Sequence, residues 1–175
     1  MTAGARPLRL FFALWPDDAA RTALERWSAA IHRVAGGRAT RGDSIHMTLA
    51  FLGDCDPERL DELKSAAASV PARPFELVLD DAGFWKHNRI AWAAATQTPA
   101  TLETLVSDLR AALAAARFAF DPKPFVSHVT LVRKAQPGFA MPALDPIRWQ
   151  VTGFVLVRSV MRPGGSDYLV ESRWG

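Results

Sequence analysis

The chain has 175 residues, 49% apolar and 22% charged, so it can bury a core and lacks the bias of a disordered chain. A net charge of +3 suits an anionic ligand without requiring one, and the single cysteine, Cys55, excludes an internal disulfide and a cysteine-based zinc cluster. Cysteine usage fits a reducing cytoplasm, the first residues carry no export signal, and no run approaches the ~20 apolar residues of a membrane helix. The expectation is a cytoplasmic protein without membrane contact, monomeric by default, built as one domain or two tightly fused lobes.

Leu8–Leu14 reads as a strand. Asp17 is placed to cap a helix whose apolar stripe is Ala20, Leu24, Trp27, Ile31 and Val34, with Gly36-Gly37 as its stop. Ser44–Leu52 reads as a strand, and Asp56-Pro57 opens a second helix with Leu60, Leu63, Ala67 and Val70 on one side. Phe75–Leu79 and Ile90–Ala95 follow as strands, with a polar hairpin loop at Lys86–Arg89. Thr98-Pro99 starts a third helix carrying Leu102, Leu105, Leu109 and Leu113. Phe125–Arg133, Trp149–Arg158 and Tyr168–Trp174 complete the strands, with a turn at Gly164–Asp167. Paired strands with helices between them predict an α+β fold with largely antiparallel sheets.

The pattern His-x-Thr-Leu occurs twice, as His46-Met47-Thr48-Leu49 and His128-Val129-Thr130-Leu131. The copies lie about half the chain length apart and take two of the four histidines. Side chains alternate along a strand, so His46, Thr48 and Ala50 are predicted on one face, with Met47, Leu49 and Phe51 on the core face. His128 and Thr130 repeat the arrangement against Val129 and Leu131. The polar set should face a cleft, because burying unpaired polar groups costs roughly 1–3 kcal/mol each.

Two imidazoles titrating near ~6.5 can serve as paired acid and base, and two hydroxyls can donate to phosphate oxygens. That set suits cleavage of a strained 2′,3′-cyclic phosphate and calls for no cofactor. A zinc site on the two histidines would lack further evident ligands. No phosphate-cradling glycine motif is present. Trp92 and Arg41 are weaker candidates for contacting RNA, with core packing and solvation the plainer readings.

These motifs, together with Arg9–Leu14, Ile45–Gly53, Ile90-Ala91-Trp92, Ser127–Arg133 and Gly165–Tyr168, resemble the bacterial RNA 2′,3′-cyclic phosphodiesterases, also called 2′-5′ RNA ligases, of the 2H phosphoesterase superfamily. The resemblance implies one bilobal domain over 1–175, with two pseudo-symmetric lobes around a V-shaped cleft. It implies metal-independent hydrolysis of RNA 2′,3′-cyclic ends to 2′-phosphomonoesters. His46 would be the acid on the departing 3′ oxygen and His128 the base on water, roles that the near-symmetry allows to exchange. Thr48 and Thr130 would hold phosphate oxygens. Arg133 matches a phosphate-binding arginine, although strict alternation sends it to the opposite strand face unless the strand bulges. Phe11, on the first strand, is a weaker candidate for lining the cleft, with core packing the plainer reading. Where many relatives have Pro before the second histidine, this chain has Ser127. A ligase joining 2′,3′-cyclic and 5′-hydroxyl ends, and a non-catalytic RNA-binding module, are the alternatives.

Overall fold

The computed structural model describes residues 6–175. The chain runs β1 (Leu8–Leu14), α1 (Asp18–Ala35), β2 (Arg38–Ala39), β3 (Met47–Cys55), α2 (Leu60–Ala68), β4 (Phe75–Leu79), β5 (Asp81–Trp85), β6 (Ile90–Ala94), α3 (Ala100–Ala115), β7 (Val129–Arg133), β8 (Ile147–Val151), β9 (Phe154–Arg162) and β10 (Gly165–Trp174). One sheet has the order β10-β9-β1-β3, a second β2-β7-β6-β5, and β4 pairs with β8 alone. Every pairing is antiparallel, giving the expected α+β architecture.

Local chemistry sets the ends of α1. The Asp17 carboxylate accepts from the Ala20 N–H at 2.7 Å, and Gly36, at φ 62°, ends the helix. Val34 does not belong to the buried stripe: it is 49% exposed, and Ala35 packs in its place. Pro57 opens a short 3-10 turn, with Asp56 as its cap, before α2 begins at Leu60.

Five strand assignments change, two of them at the motifs, where the expected Ser44–Leu52 is Met47–Cys55 and the expected Phe125–Arg133 begins only at Val129. The loop Lys86–Arg89 does close a hairpin, but it joins β5 to β6, while β4 leaves to pair with β8. Trp149–Arg158 is two strands, β8 and β9, broken at Thr152-Gly153. A Cβ at Gly153 would collide with the Trp174 carbonyl, so the glycine lets β10 pass. The last strand starts earlier than expected, because the β9–β10 turn is only Pro163-Gly164.

The helices cross between the sheets. α1 follows a strand of the first sheet but packs on β7 and β8, and α3 follows a strand of the second but packs on β3. One continuous core results, joining Phe12 and Leu49 of the first sheet to Leu131 and Val132 of the second. The two motif strands, β3 and β7, thereby meet at the centre of the molecule.

Both motif strands bulge directly after their threonines. In β3, Thr48 pairs with Ala13 and Ala50 with Phe12, so Leu49 is the extra residue. In β7, Thr130 pairs with Trp92 and Val132 with Ala91, so Leu131 is extra. Each bulge places two successive side chains in the core, Leu49-Ala50 and Leu131-Val132, and reverses the parity beyond. Ala50 therefore packs in the core beside Phe12 although its segment borders the cleft, while Phe51 joins the opposite face with Phe11. The Leu131 carbonyl accepts from the buried Ser28 hydroxyl at 2.7 Å and from the Thr40 N–H at 2.8 Å, so the second bulge buries no unmet acceptor there.

Gly83 lies directly across from Trp92, and its missing Cβ leaves the space that the indole fills. Gly83→Ala should destabilise the fold by about 1–3 kcal/mol, because the rigid ring must move. Urea unfolding monitored by tryptophan fluorescence measures the change.

Candidate active site

A cleft of about 1270 Å³ opens between the two four-stranded sheets. His46, Thr48, His128, Thr130 and Arg133 all line it. Each histidine immediately precedes its strand rather than sitting mid-strand, and its ring folds back onto its own chain. His46 Nδ1 lies 2.8 Å from the Ser44 carbonyl, and His128 Nδ1 lies 2.8 Å from the Val126 carbonyl. A carbonyl can only accept, so both neutral rings carry their proton on Nδ1 and present Nε2 as an acceptor. The Thr48 hydroxyl donates to His46 Nε2 at 3.1 Å. Ser127, the residue that departs from the family pattern, donates its hydroxyl to Met47 Sδ at 3.6 Å and ties the two motif strands together beside their histidines.

The imidazoles sit in different surroundings. Trp15 stacks on His46 with ring centroids 5.7 Å apart, Phe11 lies 4.9 Å away, and Tyr168 presents its edge at 5.2 Å. This aromatic box strips water from the ring and pushes its pKa down to about 4, an effect reinforced by the positive charge of Arg133. His128 meets one aromatic edge, Trp85 at 4.7 Å. Burial and Arg133 lower its pKa as well, against the pull of the Val126 carbonyl.

Arg133 reaches the cleft because of the bulge at Leu131 and lies on the side of Thr130. Phe11 does not line the cleft: it is 4% exposed and packs beneath His46, supporting the ring. Trp92 lies opposite Thr130 and leans on Trp85, with its indole N–H buried and unpartnered. Arg41 is at the cleft, bound to Asp167 at 3.0 Å and Asp43 at 3.2 Å. His87, read from the sequence as a surface residue, is exposed at the cleft rim.

Sequence reading passed over Trp15, Trp85, Tyr168 and Arg38. The aromatics come from strand ends and neighbouring strands, and no local pattern marks them as site residues, although Tyr168 closes one of the resembling segments. Arg38 stands in a two-residue strand too short to show any period.

Comparison with known proteins gives the family. The RNA 2′,3′-cyclic phosphodiesterase of Escherichia coli strain K12 is 33% identical over 172 residues, covering 97% of both chains. The chain belongs to the LigT-like phosphoesterases. The family profile described as LigT like Phosphoesterase matches residues 14–92, which include the first motif. The RNA 2′,3′-cyclic phosphodiesterase of Thermus thermophilus is 31% identical over 179 residues, covering 95% of this chain and 89% of that one. The crystal structure of E. coli LigT complexed with 3′-AMP superimposes with a TM-score of 0.85 at 33% identity, covering 96% of this chain and 97% of that one. Both motifs of the present chain meet in one cleft.

The depressed pKa of His46 has a consequence for stability. Its folded value is about 4 against an ordinary ~6.5, so between these limits the unfolded chain binds more protons. This group therefore lowers stability progressively as pH falls from about 6.5 to about 4, and the loss persists below. Urea titrations at successive pH values should show that slope, and His46→Asn should flatten it.

Proposed function

We propose that this chain hydrolyses RNA 2′,3′-cyclic phosphodiester ends to 2′-phosphomonoesters without a metal ion. The observation that carries the reading is the convergence of His46, Thr48, His128, Thr130 and Arg133 on one cleft from two separate sheets. The names of the E. coli and Thermus relatives support it.

Water attacks the phosphorus, and one imidazole takes its proton at Nε2. The P–O3′ bond breaks, and the other imidazole supplies a proton to the departing 3′ oxygen. The product carries a 2′-phosphate and a free 3′-hydroxyl. The Thr48 and Thr130 hydroxyls and the Arg133 guanidinium meet the nonbridging oxygens, where negative charge accumulates. Thr48 must turn from His46 toward the substrate to do so, which frees His46 Nε2 for proton transfer.

The resemblance makes His46 the acid and His128 the base. In the ligand-free protein His46 is strongly disfavoured from holding a second proton, so that role requires the negative charge of a bound phosphate. The same charge opposes the cost of burial at both rings. Arg133 offsets part of the phosphate charge and keeps the base neutral.

His46→Ala and His128→Ala should each lower turnover of a 2′,3′-cyclic dinucleotide by at least about 10²-fold while the melting curve stays cooperative. Wild-type rates in either variant would refute the two-histidine reaction. A substrate with sulfur at the bridging 3′ position needs no acid, and so should restore the His46 variant and not the His128 variant. The opposite pattern exchanges the two roles. Thr48→Ala and Thr130→Ala should each raise the barrier by about 1.5–3 kcal/mol, the value of one hydrogen bond to charge. Turnover should survive a chelator, and its loss there would overturn the metal-free reading.

A further inference from the structure

Arg38 and Arg133 form a direct cross-strand pair between β2 and β7. Side chains paired in this way share a face with Cβ atoms roughly 4.5–5.5 Å apart, and like charges there destabilise a sheet. Both residues line the cleft and both are exposed. Among the described residues neither is ion-paired with a carboxylate.

The other cleft cations are mostly answered. Arg41 and Arg162 share Asp167 at 3.0 and 3.3 Å, and Lys123 approaches Asp121 at 4.0 Å. Arg38 donates one hydrogen bond, from Nη1 to the Gly164 carbonyl at 3.1 Å, which leaves most of its five N–H donors unused. That bond also aims the guanidinium across the cleft mouth toward the β9–β10 turn.

Backbone register thus holds two unneutralised guanidiniums side by side, an arrangement that an anionic ligand relieves. Arg133 is the inner member, on the strand of Thr130 and close enough to depress both imidazoles. Arg38 is the outer member, on the edge strand of its sheet. The cleft volume of about 1270 Å³ exceeds the ~300–1,000 Å³ of ordinary small-molecule pockets, so one terminal nucleotide does not fill it.

Building on the hydrolysis reading above, we propose that Arg38 binds the internucleotide phosphate immediately 5′ of the cyclic end. Arg133 serves the reacting phosphate and Arg38 the next one along the strand. Arg38 is then a determinant of substrate length that favours oligonucleotides over free cyclic mononucleotides.

The test compares kcat/KM for a 2′,3′-cyclic dinucleotide and for 2′,3′-cyclic AMP in the wild type and in Arg38→Gln. The wild type should prefer the dinucleotide, and the preference should shrink by about tenfold or more in the variant, as expected for a charge-assisted contact. Equal losses on both substrates would mean that Arg38 serves the reacting phosphate or the fold, and would overturn the proposal. So would an unchanged preference, or a wild type that shows none.

Equilibrium binding of a dinucleotide ending in a 2′-phosphate, measured against salt, supplies a readout independent of turnover. The log–log slope should fall by about 0.7 in Arg38→Gln, one single-strand phosphate contact, and should be retained in Arg38→Lys. If the wild type turns over no cyclic phosphate, the hydrolysis reading fails, and the salt slope still decides whether Arg38 holds a second phosphate.

Discussion

A strand presents every second side chain to a given face, and both motif strands break that alternation one residue after threonine. The extra residues, Leu49 and Leu131, place two successive apolar side chains in the core and return the chain to the cleft one position late. Without the second bulge Arg133 would leave the side of Thr130 for the opposite face, and the imidazoles would lose their nearest fixed positive charge. Bulges need their freed backbone groups satisfied, and the second has Ser28 from α1 and Thr40 beside β2 to do it. A hydroxyl on the buried face of a helix thus helps fix the geometry of a site on another element.

The same device yields different products in the two halves. Beyond the first bulge comes Phe51, and beyond the second comes Arg133. Phe51 meets Phe11 across the pair and carries the Arg9 guanidinium 4.9 Å above its ring. Arg133 stands opposite Arg38. The first bulge therefore brings a phenylalanine to the cleft and the second an arginine, although the two motifs match in sequence. The inequality of the histidines has the same origin: three aromatic rings enclose His46, and one touches His128.

Crossed helix packing makes the relative placement of the sheets a property of the core. α1 and α3 each leave one sheet and cover the other, so separating the sheets would expose residues such as Leu24, Ile31, Leu105 and Leu109, all 4% exposed or less. The apolar surface that stabilises the fold also sets the width of the cleft. Across its mouth, Asp167 holds Arg41 and Arg162, and Arg38 reaches Gly164. These contacts are exposed and individually weak, so the core and not the rim keeps the site in shape.

Much of this protein is written locally. The Asp17 cap, the Gly36 stop, the leucine stripe of α3 and the duplicated His-x-Thr pattern each depend on residues a few positions apart, and sequence alone determined them, along with the α+β class. Resemblance added the family and the expectation of one shared cleft. Only the tertiary structure decided that Ala50 turns inward, that Arg133 turns toward the cleft, that Phe11 supports His46 from below, and that β4 pairs with β8. Bulges and long-range strand partners depend on which groups lie across a sheet or on a packed helix, as Ser28 and Thr40 do for Leu131. Those neighbours are remote in sequence, so no periodicity along one strand records them.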